Sequence, residues 1–273
     1  MSRPRVHLSV VSHAQAPLAE ALLRDVQAHV RSVDIFATLT LNVPEPLAFS
    51  EQGFSYPLQI LRNPRPLGFA ANHNQAYREG ARRFDFDYHC VVNPDVRLVD
   101  DPFGPLIEAL ARSPRAALVA PLVRNSRGAP EDNARRLPTP ADILLKAAGR
   151  RNRPWKAAPG QGVVCPDWVA GMFMLFPKAV FEDLAGFDEK FFLYYEDVDL
   201  CCRARLQGYR ILLDTEHYVI HDAQRASHRD FRHLRWHVAS MLRFFTSRTY
   251  FRCRRLNRRI NVPGAVDAGG ECS

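Results

Sequence analysis

Residues 186–221 read GFDEKFFLYYEDVDLCCRARLQGYRILLDTEHYVIH, and the order of elements within them decides the fold. An aromatic run, Phe191-Phe192-Leu193-Tyr194-Tyr195, delivers three carboxylates, Glu196, Asp197 and Asp199. The spacing beyond predicts a helix, with Leu200, Ala204 and Leu206 on its apolar side and Arg203 and Arg205 among its polar positions. Gly208 stands where such a helix stops. A leucine-rich run from Arg210 to Leu213 follows, then a second strand ending at His221. A carboxylate at a helix start, beside aromatics that exclude water, suits a general base. Acids also favour first turns for plain capping, so this stretch alone leaves both roles open.

Strands and helices alternate in the same way upstream. Val6 to Val11 is a compact apolar strand, and Ala16 to Val30 carries Leu18, Leu22, Val26 and Val30 at helical spacing. Further strands are predicted at Asp34 to Leu41, Leu58 to Leu61, Tyr88 to Val92 and Ala116 to Ala120. Asn72 to Phe84 and Pro102 to Arg112 read as helices between them. Such alternation predicts an α/β domain, Rossmann-like, with a mostly parallel sheet and helices on both faces. Ligands of such sheets bind beyond the C-terminal strand ends. Ser12-His13, Asn42, Asn63 to Asn72 and Asn93-Pro94-Asp95 would form that rim. Residues 122–165, rich in Arg, Pro, Gly and Asn, read as a variable insertion with one short helix at Ala141 to Ala148. Trp168 to Phe176 is strand-like, and Lys178 to Leu184 is a short helix.

A length of 273 residues with 47% apolar content allows one large domain or two small ones with a sizeable core. No apolar run reaches the roughly 18–20 residues that span a bilayer. The N-terminal MSRPRVHLSVVSHAQ does not read as a signal peptide, so a cytoplasmic protein is expected. None of the six cysteines forms a C-x-x-C pair, which predicts free thiols in a reducing compartment. The net charge of +8 is uneven: residues 225–259 hold eleven arginines and one acid, Asp230, and the remainder is near neutral. Phe231, Leu234, Val238, Met241, Leu242 and Phe245 recur at helical spacing there, predicting a basic amphipathic C-terminal helix over 226–260. Two roles fit it, packing on the domain and contact with an anionic membrane surface. Nothing beyond the charge points to nucleic acid, and none is expected as a partner. The tail, 261–273, is expected to be disordered.

Three further stretches carry chemistry: Asn63-Pro-Arg-Pro-Leu-Gly68-Phe69-Ala-Ala-Asn72-His-Asn74; Val91-Val92-Asn93-Pro94-Asp95-Val96; and Gly171-Met-Phe-Met leading to Gly186-Phe187-Asp188-Glu189, Glu196-Asp197-Val198-Asp199 and His221. In this order and spacing, over roughly residues 5–225, the chain resembles the family 2 glycosyltransferases, and most of all their rhamnosyltransferase-type members. The resemblance implies a GT-A fold and inverting transfer of a sugar, such as L-rhamnose from dTDP-L-rhamnose. The donor would be a nucleotide-diphosphate sugar and the acceptor a lipid-linked glycan of a surface polysaccharide.

The resemblance also implies roles for single residues. Asn93-Pro94-Asp95 corresponds to the family's Asp-x-Asp metal motif with Asn in first place, so Asp95 would hold Mg²⁺ or Mn²⁺ against the diphosphate. Asp197 corresponds to the base that deprotonates the acceptor hydroxyl, with Glu196 beside it contacting the acceptor or orienting the loop. His221 corresponds to a late metal or diphosphate contact. Ser12, His13, Asn42, Gly68, Asn72 and Asn93 would line the donor, with the Asn42 amide oxygen receiving a base N–H. Gly68 would let backbone approach the donor, and Asn72 would cap the next helix. Gly171 and Met172 would line the acceptor side, with Trp168 as a sugar-stacking platform or a core residue. Asp199 is expected to pair with Arg203 one turn on. The literal Asp-x-Asp at Asp85-Phe86-Asp87 precedes its strand and would lie at the wrong end of the sheet. Two rivals stand beside this reading: a sugar nucleotidyltransferase, disfavoured because no basic Gly-rich triphosphate loop lies near residue 12, and a non-catalytic basic surface-binding protein on a transferase scaffold.

Overall fold

The structure, a computed structural model, describes residues 2–147, 159–221 and 231–260. The expected tail at 261–273 and the first residues of the expected C-terminal helix, 226–230, lie outside the described residues. In chain order the elements begin β1 (Arg5–Ser12), α1 (Ala16–His29), β2 (Asp34–Leu41), β3 (Leu58–Arg62), α2 (Phe69–Arg83), β4 (Tyr88–Val92), β5 (Val96–Arg97), α3 (Phe103–Arg112) and β6 (Ala116–Arg124). They continue with β7 (Ala134–Arg135), α4 (Pro140–Ala147), β8 (Val163–Val164), β9 (Trp168–Val169), β10 (Phe173–Pro177), α5 (Lys178–Asp183), α6 (Glu196–Leu206), β11 (Arg210–His221), α7 (Phe231–Thr246) and α8 (Arg248–Ile260).

The main sheet runs β3-β2-β1-β4-β10-β6-β11-β5. Its body is parallel except for β10, which lies antiparallel to both β4 and β6, and for β5 and β8, which each pair antiparallel with β11. Period-two alternation sends neighbouring side chains to opposite faces. On β1, Val6, Leu8 and Val10 join the core under α1 and α3, and on β4 Cys90 and Val92 do the same. Val91 points the other way, into the core that α2, α5, α6 and α8 cover. Both faces of the sheet are therefore buried, which is why the strands read as near-continuous apolar runs.

Three expectations are corrected. Trp168 to Phe176 is not one strand: a tight turn in which the Met172 N–H donates to the Ala170 carbonyl (2.8 Å) splits it into β9 and β10. The two strands expected between Arg210 and His221 are one, β11, with an irregularity between Asp214 and Tyr218. There the Asp214 carboxylate accepts the N–H groups of Glu216 and His217, a local turn that the strand absorbs. The basic segment holds two helices rather than one. Ser247 separates them, its Oγ accepting the Tyr250 N–H at 3.0 Å as an N-cap for α8.

The expected apolar stripe of the tail also divides. Met241 and Phe245 join the packed side of α7 with buried Phe244, whereas Phe231, Leu234, Val238 and Leu242 are exposed. Asp167 pins α8 to the body, pairing with Arg205 of α6 (2.9 Å) and accepting from Asn257 (3.0 Å). Cys90, Cys201, Cys202 and Cys253 are buried free thiols, but Cys165 is disulfide-bonded, against the expectation of free thiols throughout.

Candidate active site

At the C-terminal end of β4 the chain turns through Asn93-Pro94-Asp95 into β5, and β5 pairs with the end of β11 so that Val96 faces His221. This pairing brings Asp95 Oδ1 to 3.2 Å from His221 Nε2, both side chains being largely buried. Two ligands on adjacent positions of a small octahedral cation, each at about 2.1 Å, lie about 3 Å apart. The spacing and the oxygen–nitrogen donor set therefore fit one divalent cation, with its other positions left for diphosphate and water. Among the described residues no third His, Cys, Asp or Glu joins them.

The second corner is the turn into α6. Tyr194 and Tyr195 both adopt left-handed backbone (φ 72° and 67°), a conformation that side chains with a Cβ disfavour. Each costs about 1–3 kcal/mol. Packing offsets it: Tyr195 packs against the rings of His237 and Phe244 of α7, and Ser240 Oγ donates to the Leu193 carbonyl at 2.9 Å. The turn presents Glu196 and Asp197 at the start of α6. Asp197 accepts the N–H groups of Val198 (2.8 Å) and Gly171 (3.1 Å). Burial raises its pKa, and those two N–H groups and the nearby Arg135 guanidinium oppose the rise. Glu196 is buried, with Oε2 unpartnered, and burial followed by the Asp197 charge holds its carboxyl well above the usual range. The two environments differ: burial raises both carboxyls, and the N–H groups of Val198 and Gly171 oppose that rise at Asp197 alone. Asp199, as expected, pairs with Arg203 (2.7 Å) and takes no part.

Gly171-Met172 joins the corners. The Gly171 N–H donates to Asp197, and the Met172 carbonyl accepts the Asn93 N–H at 2.9 Å. One dipeptide thus ties the Asn93-Pro94-Asp95 turn to the Asp197 carboxylate of α6. A side chain at Gly171 would meet the Phe69 ring at 3.0 Å, so the dipeptide is also close-packed.

Four expected contacts come out differently. The Asn42 Oδ1 already accepts from Leu67 N (2.8 Å) and Asn63 Nδ2 (3.0 Å), which occupies both lone pairs and leaves none for a nucleotide base. Asn72 lies inside α2 and does not cap it. Its amide bonds Asn63 and the carbonyls of Leu67 and Gly68, so it braces the loop from within. At Gly68 the missing side chain makes room for protein: a Cβ would meet the Phe192 carbonyl at 2.3 Å, and Phe69 N donates to that oxygen. Trp168 is buried, its Nε1 bound to the Arg136 carbonyl (2.9 Å) and its face covered by Arg135, so it is a core residue and no platform. Ser12 is buried, its Oγ accepting the Gln15 N–H, while exposed His13 reaches Asn42 at 3.2 Å and stands on the rim.

Asn74 carries a role that its motif does not announce. Its amide grips both polar groups of Phe187 backbone, accepting from N (3.0 Å) and donating to O (2.8 Å), which fixes the loop leading to the tyrosine turn. Arg135 came from the insertion and had no sequence signal. β7 pairs with β9 and so lays Arg135 over Trp168, with its charge acting on Asp197. A cavity of about 690 Å³ lined by Arg78, Glu189, Lys190 and Arg203 includes none of the candidate site residues.

The chain matches no protein-family profile. It is 29% identical over 203 residues, 71% of this chain, to the rhamnosyltransferase WbbL of Escherichia coli (strain K12), 76% of which is covered. It is 31% identical over 172 residues to the N-acetylglucosaminyl-diphospho-decaprenol L-rhamnosyltransferase of Mycobacterium tuberculosis, covering 59% of this chain and 56% of that one. Among solved structures, the mannosyltransferase PcManGT from Pyrobaculum calidifontis, in complex with GDP-Man and Mn²⁺, superposes with a TM-score of 0.59 at 16% identity over 95% of this chain and 70% of that one. GalNAc-T7 with UDP, GalNAc and Mn²⁺ gives 0.57 at 14% identity over 80% and 43%. The shared fold and the sequence likeness define a glycosyltransferase of the GT-A fold. Within that class the chain is similar in sequence to rhamnosyltransferases.

Proposed function

We propose that the chain is an inverting, divalent-metal-dependent hexosyltransferase that moves L-rhamnose from a nucleotide-diphosphate donor to a lipid-linked glycan acceptor. The observation that carries this reading is the Gly171-Met172 link, which holds the Asp95–His221 pair and the Asp197 carboxylate in one site. Asp197 takes the proton of the acceptor hydroxyl as its oxygen forms a bond to the anomeric carbon. The bond from that carbon to the diphosphate breaks, and the nucleoside diphosphate leaves with the electron pair. Burial raises the pKa of Asp197 and makes it a better proton acceptor, while its two N–H donors favour the ionised form. A Mg²⁺ or Mn²⁺ ion between Asp95 and His221 would supply positive charge to the leaving diphosphate. No second carboxylate has to protonate that group, which fits a Glu196 that is buried.

The acceptor class and the rhamnose preference rest on the likeness to two rhamnosyltransferases. No helix among the described residues is long and apolar enough to cross a membrane. We place the enzyme at the cytoplasmic face of a membrane through peripheral contact, where a lipid-linked acceptor would lie. The test is to incubate the protein with dTDP-L-rhamnose, other nucleotide sugars and a lipid-diphosphate-linked sugar, then assign the product's anomeric configuration by NMR. Transfer of rhamnose with inversion is expected. Retention of configuration, or transfer only from another donor, would overturn the corresponding part of the reading.

A further inference from the structure

Helix α7 has two faces with different duties. Its inner face holds the base turn: His237 and Phe244 lie on Tyr195, Trp236 lies on Phe192 at 4.7 Å between ring centres, and Ser240 binds the Leu193 carbonyl. Its outer face carries Phe231, Leu234, Val238 and Leu242, exposed by 88%, 59%, 39% and 56%. Spacings of three, four and four residues keep these four on one side of a 3.6-residue helix. Exposed large apolar residues are common singly, but a continuous stripe on one helix marks an interaction surface.

The charge around the stripe selects the partner. The described part of the two helices, residues 231–260, carries nine arginines and not one acid. Arg232, Arg235 and Arg243 flank the stripe on exposed positions of α7, and Arg252, Arg255 and Arg258 are exposed on α8. A second copy of this chain would set this all-positive surface against itself, which like-charge repulsion opposes. An apolar stripe bordered by arginines is instead the composition of a helix lying in a bilayer interface, apolar side in the acyl boundary and guanidinium groups on anionic headgroups.

We propose that the Phe231–Leu234–Val238–Leu242 face of α7 is the surface that seats the enzyme on an anionic lipid bilayer. The inner face of the same helix grips the turn that carries Asp197, so docking sets the base at a fixed distance from the lipid surface. The proposal rests on the membrane contact in the proposed function and names the residues that make it.

The experiment is co-sedimentation of the full chain with vesicles of phosphatidylglycerol and phosphatidylcholine, and with phosphatidylcholine alone. It is run for wild type and for Leu234→Glu combined with Leu242→Glu. Size-exclusion chromatography and the thermal shift caused by a nucleoside diphosphate with Mn²⁺ are measured in parallel. Wild type is expected to bind the anionic vesicles, more weakly in high salt, and the double variant to bind at least about tenfold more weakly. Both are expected to be the same size and to keep the nucleotide shift, which shows an intact fold. Vesicle binding by the variant equal to wild type, with that shift intact, would overturn the proposal. So would a wild-type dimer that the double substitution makes monomeric, because a second copy would then cover the stripe. Loss of the nucleotide shift in wild type would instead strike the transferase reading and leave the lipid result standing by itself.

Discussion

The two ends of β4 carry similar acidic triplets and do opposite things. Before the strand, Asp85-Phe86-Asp87 is the literal metal-binding spelling, yet both acids are engaged with the start of β1. Asp87 accepts the Arg5 N–H at 2.8 Å, and Asp85 pairs with the Arg5 guanidinium at 2.8 Å. After the strand, Asn93-Pro94-Asp95 has lost one acid, yet Asp95 meets His221 and Asn93 is bonded to Met172. Strand direction, more than spelling, determines which triplet can face a donor. Only the C-terminal end opens on the rim where loops converge, and only there does β11 bring a histidine.

Substitutions at the two ends can break or sharpen this contrast. The largest effect is expected at the residue the C-terminal rim serves. Asp197→Asn should lower transfer by about 10²–10⁴-fold while donor binding persists, because only the proton acceptor is lost. Steady-state rates beside nucleotide titration would check this, and near-normal turnover would remove Asp197 from the role. Next comes Gly68→Ala. Its methyl would be forced to 2.3 Å from the Phe192 carbonyl, so the loop before the base must move. A cost of about 1–3 kcal/mol in stability is expected, readable in urea unfolding. A fall in transfer should accompany it. At the N-terminal end, Asp85→Ala should leave transfer and donor affinity unchanged, since surface pairs with Arg5 and Lys178 are what it gives up.

A smaller test concerns the polar layer between the two ends. His7, His73 and His89 are fully buried between β1, β4 and α2. His7 Nδ1 lies 3.0 Å from His89 Nδ1, and His73 bonds Ser9 at 2.8 Å. Burial pushes the His7 and His73 pKa values down to about 3. Depressed values mean that the unfolded chain binds more protons below its own pKa near 6.5. The contribution of these residues to stability is therefore whole above that pH and is lost progressively as pH falls from about 6.5 toward 3. Replacing His73 with Gln should flatten the pH dependence of the unfolding midpoint over that window, and an unchanged slope would count against the account of the layer.

Much of the fold was legible because it is written in period. Asp34–Leu41 and Tyr88–Val92 have the bounds their apolar runs predict, since both faces of a mostly parallel sheet are buried. That Asp95, Asp197 and His221 lie next to element ends was legible, because a motif and a boundary coincide at each. What was not legible depends on partners far away in sequence. Nothing local marks Gly171-Met172 as the bridge, because its two hydrogen bonds reach Asp197 and Asn93. The Asn42 and Asn72 amides read as donor contacts, and Asn63 as a neighbour on the rim, because asparagines at strand ends are polar and well placed. In the structure they satisfy one another and the Leu67 backbone. Trp168 was ambiguous for the same reason: aromatic size suits a stacking platform and a core equally, and burial decides. The left-handed tyrosines leave no trace in composition, since their strain is held by α7, more than forty residues on.

The most direct measurement is the thermal shift produced by nucleoside diphosphates with Mn²⁺ or with EDTA, in wild type, Asp95→Ala and Asp85→Ala. A bound nucleotide raises the unfolding temperature by mass action. A metal-dependent shift is expected in wild type and in Asp85→Ala, and little or none in Asp95→Ala. An equal shift in EDTA, or a shift lost with Asp85 and kept without Asp95, would contradict the placement of the donor at the C-terminal end of β4.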